Sequence, residues 1–314
     1  MSIPSNKSGS IPSKESDKKC AIGKKWDNGS CLSLDKLKDI ASNYNKTYKT
    51  RTNFKEINVN DDKKNLVKQL NERLNECSDQ ICWTRLDIVK QVDKDGEIRN
   101  NTFLPKGPSD KYEWLSTNHI DEVIKQAQKV HKDFIFLGAV PYDFEDLSGL
   151  KVYKINFAEW QKKGYNRFGM VINLDTHNKA GSHWVSLYFD LNKNQVYFFD
   201  SVGKRPGSRI RSFINKIVKY MYFKLYNEQF EINDIVKARD SGNLKDFEQF
   251  KKLEKIDVRF NQNQHQFKDS ECGVYSIYFI LELLNGRSFK DLSTDIVKDE
   301  EMNSFRAKYF RNYE

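Results

Sequence analysis

No run of about 18 apolar residues, the least that a membrane-spanning helix requires, occurs anywhere in the 314-residue chain. The opening stretch MSIPSNKSGSIPSKESDKK also lacks the apolar centre of a secretion signal. A protein that spans no membrane and is not secreted is therefore expected. Cysteine is scarce and odd in number, with five residues. That does not describe a disulfide scaffold, so reduced thiols are expected. The sequons at Asn28, Asn45 and Asn100 then read as chance in a chain rich in Asn, Ser and Thr. Internal repeats and nucleic-acid recognition motifs are also missing. Lys and Arg outnumber Asp and Glu by 53 to 44, a net charge of +9, but they are spread along the whole length. Weak, non-specific, salt-dependent binding to nucleic acid is the most that this charge implies.

Aromatic residues, by contrast, are plentiful: 21 Phe and 15 Tyr mark a folded chain rather than a disordered one. Residues 1–19 are the exception, since Ser, Lys and Pro cannot offset the entropy of ordering, and a flexible tail is expected there. Over 20–105 the pattern is helical and predicts a small N-terminal arm domain. SLDKLKDIASNYNK places Leu34, Leu37 and Ile40 on one face behind a Ser33 cap, and DDKKNLVKQLNERL does the same with Leu66, Leu70 and Leu74. Cys77 and Cys82, in CSDQICW, have the spacing of neither a zinc knuckle nor a redox pair and read as structural thiols.

The Gly, Pro, Asn and Asp of KDGEIRNNTFLPKGPSD mark the domain boundary, and a second domain follows over 106–314. There, EWLSTNHIDEVIKQAQKV reads as a helix. DFIFLGAV, FGMVINLD, HWVSLYFDL, QVYFFDS and KIDVRFN read as strands. A long helix is predicted over 207–227, and a charged insertion of unassigned role over 231–254. The fold class is α+β, with a central mixed, largely antiparallel sheet flanked by helices.

Cys272 stands between the polar KDSE and the apolar GVYSIYFILELL. The apolar run predicts a helix buried on all sides and closed at Asn285-Gly286. At the mouth of such a helix, free N–H groups and the positive dipole end favour a thiolate, the attacking form of cysteine. Gly273, lacking a Cβ, would let a substrate backbone come close. A cysteine nucleophile needs a base and a group that orients the base. His119, His131 and His177 are predicted on surface helix or loop, and His265 on the segment entering Cys272. His183 opens a strand behind KAGS, and the hairpin returns Asp200 to the same sheet edge, where a carboxylate can hold the other ring nitrogen. Gln266 and the Cys272 amide could stabilise an oxyanion.

GSHWVSLYFD, YFFDS seventeen positions on, and QFKDSECG with Gln266 six before Cys272 resemble the ubiquitin-like-protein-specific cysteine protease clan, which includes SUMO and adenovirus proteases. The order His, Asp, Gln, Cys matches the clan. Glu271 departs from it, because cellular members carry Asp there. CAIGKKWDNGSCLS, LSTNHIDEVI, SECGVYS and DEEMNSFRAKYFRN resemble one viral branch more closely, the polyprotein-processing proteases of African swine fever virus and giant viruses. The resemblance implies a papain-like core and cleavage after Gly-Gly. It implies Trp184 and Trp114 as the walls of a channel too narrow for any side chain, and the chemistry calls for no metal or cofactor. It also implies polyprotein substrates with Gly-Gly-X sites, processed in the virion or the host cytoplasm. A ubiquitin-like modifier is the second candidate substrate. Acetyl transfer or a non-catalytic binding module would be further readings. Alkylation of Cys272 faster than the four other thiols is expected for the enzyme.

Overall fold

The computed structural model describes residues 19–242 and 248–313, so the tail expected over 1–19 lies almost wholly outside them. Two compact units result. One runs to Lys106 and takes in the chain again from Tyr309, and the other is Gly107–Lys308. The last residues, expected with the second domain, thus belong to the first unit. The reason is Arg311: its backbone N–H donates to Pro105 O at 3.0 Å and its Nη1 to Leu104 O at 2.6 Å.

In the first unit, α1 (Leu34–Tyr48) starts at Ser33, whose hydroxyl accepts the Lys36 N–H, and α2 (Lys63–Arg73) starts at Asp62, which accepts from Asn65. Leu37, Ile40, Leu66, Leu70 and Leu74 are buried, whereas Leu34, expected on the same face, is 37% exposed. The short helices α3 (Gln80–Trp83), α4 (Asp87–Lys90) and α5 (Glu97–Asn101) add Trp83, Ile88, Val89 and Ile98 to this core.

The expectation of reduced thiols is overturned in this unit. Cys20 pairs with Cys31 and Cys77 with Cys82, each across a Cα separation of 5.4 Å, well inside the range a disulfide bridges. Local chain reversals account for both. A tight Asp27–Ser30 bridge folds the first loop back. Asp79 caps α3 by accepting the Cys82 N–H at 2.7 Å, which turns the chain onto Cys77. An odd count says only that one thiol must remain, and that thiol is Cys272.

In the second unit, α6 (Thr117–Val130) leads into β1 (Phe134–Val140), and α7 (Phe157–Lys162) into β2 (Arg167–Asn173). The hairpin β3 (Trp184–Asp190) and β4 (Gln195–Phe199) is followed by α8 (Ser208–Tyr226), α9 (Ile232–Asp240) and α10 (Glu248–Leu253). The two last-named helices occupy the insertion of unassigned role. Then come β5 (Asp257–Phe260), α11 (Cys272–Leu284), α12 (Phe289–Thr294) and α13 (Asp299–Ser304).

The sheet order is β1-β2-β3-β4-β5, antiparallel at the centre and parallel at both outer pairs. Every residue of β3 is buried, because helices cover both faces. Val185, Leu187, Phe189, Val196 and Phe198 point into one core with Phe213 and Ile217 of α8. Tyr197 and Phe199 point the other way and stack on Phe289 and Phe279. On that second side α11 lies close against the sheet. A Cβ at Gly169 would come within 2.9 Å of the Phe134 ring and 3.2 Å of Ile280, so only glycine admits the helix at this spacing.

Candidate active site

The β3–β4 hairpin pairs Ser186 with Phe199 and Asp190 with Gln195. This register leaves His183, just before β3, and Asp200, just after β4, at the same edge of the sheet. His183 Nε2 lies 2.7 Å from Asp200 Oδ1. The Cys272 thiol at the start of α11 also acts on the ring. The three residues predicted from spacing are thus brought together. Burial opposes charge on the imidazole, but the bonds to Asp200 and Cys272 outweigh it and raise the His183 pKa to about 9. Cys272 is only 2% exposed, so the thiol is buried.

Asp200 is itself held on several sides. Its Oδ1 accepts the Val202 N–H at 2.9 Å, which ties the carboxylate into the turn after β4. Asn261 clamps the backbone: Oδ1 accepts the Asp200 N–H at 2.9 Å and Nδ2 donates to the Asp200 carbonyl at 2.7 Å. Asn261 is buried, and no sequence pattern had marked it.

Gln266 is buried in the loop leading to Cys272. The Ser201 hydroxyl donates to its Oε1 at 2.6 Å, and Nε2 donates one hydrogen to Lys268 O at 2.6 Å. Nε2 carries a second hydrogen, so the amide keeps one donor. The loop is also tethered by its backbone. The N–H groups of His265 and Gln266 both donate to Ser201 O at 2.8 Å, and those of Phe267 and Lys268 donate to Asp299 Oδ2 at 2.8 and 3.0 Å.

The C-terminal DEEMNSFRAKYFRN segment thereby gains a physical role. Besides Asp299, Asn303 donates to Glu271 Oε1 at 2.7 Å, and buried Arg306 donates to Ser270 O at 3.0 Å. Glu271, adjacent to the nucleophile, is buried and takes the Ser270 hydroxyl at 2.5 Å as well. Ser201, Asn261, Asp299 and Arg306 were missed because each acts across a long sequence separation. Only the FFDS and DEEMNSFRAKYFRN stretches hinted at any of them.

Gly273 requires a correction. A Cβ there would meet Leu115 Cβ at 2.9 Å, so the missing side chain makes room for the protein's own core and not for a substrate. Gly273→Ala is expected to cost about 1–3 kcal/mol by overpacking. Thermal unfolding checks this, and an unchanged melting temperature would show that Leu115 yields freely.

Leu115 has a second function, since its carbonyl accepts the Trp184 Nε1–H at 2.9 Å. Trp184 is buried, whereas Trp114 is 44% exposed. Both border a cleft of about 430 Å³ whose lining also includes Asn173, His177 and Gly181. His177 is not merely solvated there: its Nδ1 lies 2.5 Å from Oδ2 of Asp143, which is buried. Among the described residues no group of His, Cys, Asp and Glu could hold a metal ion.

Residues 170–314 match the model of the Ulp1 protease family, C-terminal catalytic domain. A protein of Acanthamoeba polyphaga mimivirus named as a thiol protease is 31% identical over 300 residues, covering 91% of this chain and 90% of that one. The chain belongs to the Ulp1 protease family. It is also similar to the SUMO-1 cysteine protease of African swine fever virus, at 25% identity over 240 residues, 72% of this chain and 76% of that protein. The crystal structure of the African swine fever virus protease has the same fold, with a TM-score of 0.60 at 19% identity over 96% of this chain and 97% of that one. This Ulp1-family member is a cysteine protease, and its mixed sheet between helical layers is the fold the family resemblance implied.

Proposed function

We propose that the chain is an endopeptidase that cleaves after Gly-Gly in viral structural polyproteins during virion maturation, in the assembling particle and the host cytoplasm. The observation that carries this reading is the His183 ring held between Asp200 and Cys272, with Trp114 and Trp184 lining one cleft. Cys272 Sγ attacks the carbonyl carbon of the second glycine. A C–S bond forms, and the negative charge on the carbonyl oxygen meets the Cys272 amide and the remaining Gln266 donor. The His183 imidazolium gives its proton to the leaving amine as the C–N bond breaks. The neutral ring then takes a proton from water, which attacks the thioester and releases the acid. Asp200 orients the ring throughout. The two tryptophans select for glycine by excluding any Cβ, so specificity comes from steric rejection. Positive net charge helps keep the enzyme near acidic precursors or nucleic acid.

Peptides of the form Gly-Gly-X, Gly-Ala-X and Ala-Gly-X test this. Cleavage of the first alone is expected, and Trp114→Ala should relax the preference about tenfold. Equal cleavage of all three by the wild type would remove the channel reading. Similarity to the SUMO-1 cysteine protease of African swine fever virus favours a second reading, removal of a ubiquitin-like modifier. Labelling of Cys272 by a modifier carrying a C-terminal vinyl sulfone, without polyprotein cleavage, would support it.

A further inference from the structure

The first unit carries a cleft that the proteolytic chemistry does not use. Its volume is about 320 Å³, and its lining comprises Ile81, Thr84, Arg85, Lys90, Arg99, Phe103 and Arg311. Four of these seven side chains are cationic and none is acidic. We propose that this cleft binds a compact, multiply charged phosphate ligand.

Charge is the first argument. Arg85 and Arg99 are exposed on the cleft wall, and among the described residues neither has a carboxylate partner. Lys90 pairs with Asp87 at 3.0 Å, but both side chains are largely in solvent, where such a pair contributes little. Arg85, Lys90 and Arg99 bring positive charge to the lining of one concavity with no acidic side chain in it, and an anion there would be attracted by all three. The positions come from different segments, so helical periodicity of a lysine-rich chain does not explain them. Arg85 follows α3, Lys90 ends α4, Arg99 sits on α5 and Arg311 returns from the C-terminus.

Pre-organisation is the second argument. The Cys77–Cys82 disulfide pins the segment that carries Ile81, Thr84 and Arg85. Arg311 is seated by its bonds to Leu104 and Pro105 carbonyls. The Asp93 carboxylate accepts the backbone N–H groups of Ile98 and Arg99 at 2.7 and 2.9 Å, which positions α5. Guanidinium forks match phosphate oxygens in pairs, and arginine outnumbers lysine here. The volume lies at the small end of the range for ligand pockets, suited to a polyphosphate or nucleotide.

The test titrates the full chain with tripolyphosphate, citrate and an eight-residue oligothymidylate, by calorimetry and by thermal shift. Tripolyphosphate is expected to bind and raise the melting temperature, with weaker binding at higher salt. Arg85→Ala combined with Arg99→Ala should lose about tenfold or more in affinity. Lys193→Ala combined with Lys255→Ala removes equal charge from the other unit and should change nothing. Oligothymidylate binding through the same two arginines in addition to tripolyphosphate would identify a nucleic-acid strand as a second source of the same phosphate chemistry. The proposal is overturned if the wild type does not bind tripolyphosphate, if the lysine pair loses as much, or if citrate binds as tightly. Oligothymidylate binding without tripolyphosphate binding overturns it too. Because Cys272 is not involved, these outcomes are independent of whether Gly-Gly peptides are cleaved.

Discussion

Cys272→Ala is expected to abolish cleavage of Gly-Gly peptides, a fall on the order of 10⁴-fold or more, while leaving the fold intact. The loss is large because the other groups act only through the sulfur. Without attack by sulfur the His183 imidazolium has no leaving amine to protonate, and the donors of Gln266 and the Cys272 amide have no oxyanion to meet. The fold survives because the side chain removed is small, and α11 is held against the sheet by Phe279 stacked on Phe199 and by the burial of Ile277 and Ile280. Single-turnover assays with the purified variant measure the fall, and thermal unfolding measures the fold. Cleavage within tenfold of wild type by a folded variant would remove Cys272 as nucleophile.

Asp200→Asn is expected to lower kcat/KM by about 10²–10⁴ and to move its pH dependence. In the wild type, burial works to lower the His183 pKa, and the bonds to Asp200 and Cys272 overcome it, so the ring stays protonated to about pH 9. Activity that needs the imidazolium to protonate the leaving amine should therefore persist through neutral pH and fall as pH rises through about 9. Removing the carboxylate charge leaves burial less opposed, so the alkaline limb moves to lower pH. Stability follows the same sign. A histidine whose folded pKa is raised contributes stabilisation fully present below its unfolded value near 6.5 and lost as pH rises through about 9. The gap in melting temperature between wild type and variant should thus be widest near pH 6 and narrow as pH rises through about 9. An alkaline limb at the same pH in both proteins would show that Asp200 does not set the His183 charge.

Local signals made much of the architecture legible. Short alternating or continuously apolar runs marked the five strands, and the Asn-Lys-Asn turn after β3 implied that His183 and Asp200 share an edge. The apolar run after Cys272 set the nucleophile at a helix start. What stayed hidden depends on distance in sequence. Asn261 reaches Asp200 across 61 residues, and Arg306 reaches Ser270 across 36. Nothing in either local stretch distinguishes a clamp from an ordinary polar residue. Gly273 misled for a related reason, because a missing Cβ indicates close approach without saying what approaches. Leu115, 158 positions earlier, is what approaches. The cysteine count failed because disulfide formation depends on Cα separation, which a number of residues does not report.

Pairing four of the five sulfurs leaves a single free thiol, that of Cys272. In the absence of reductant, stoichiometry alone then identifies the nucleophile. One equivalent of a thiol reagent per chain counts every molecule with an unblocked Cys272, with no need for cysteine-free variants. The reducing agents customarily added to cysteine proteases would open the disulfides of the first unit and raise that count to five.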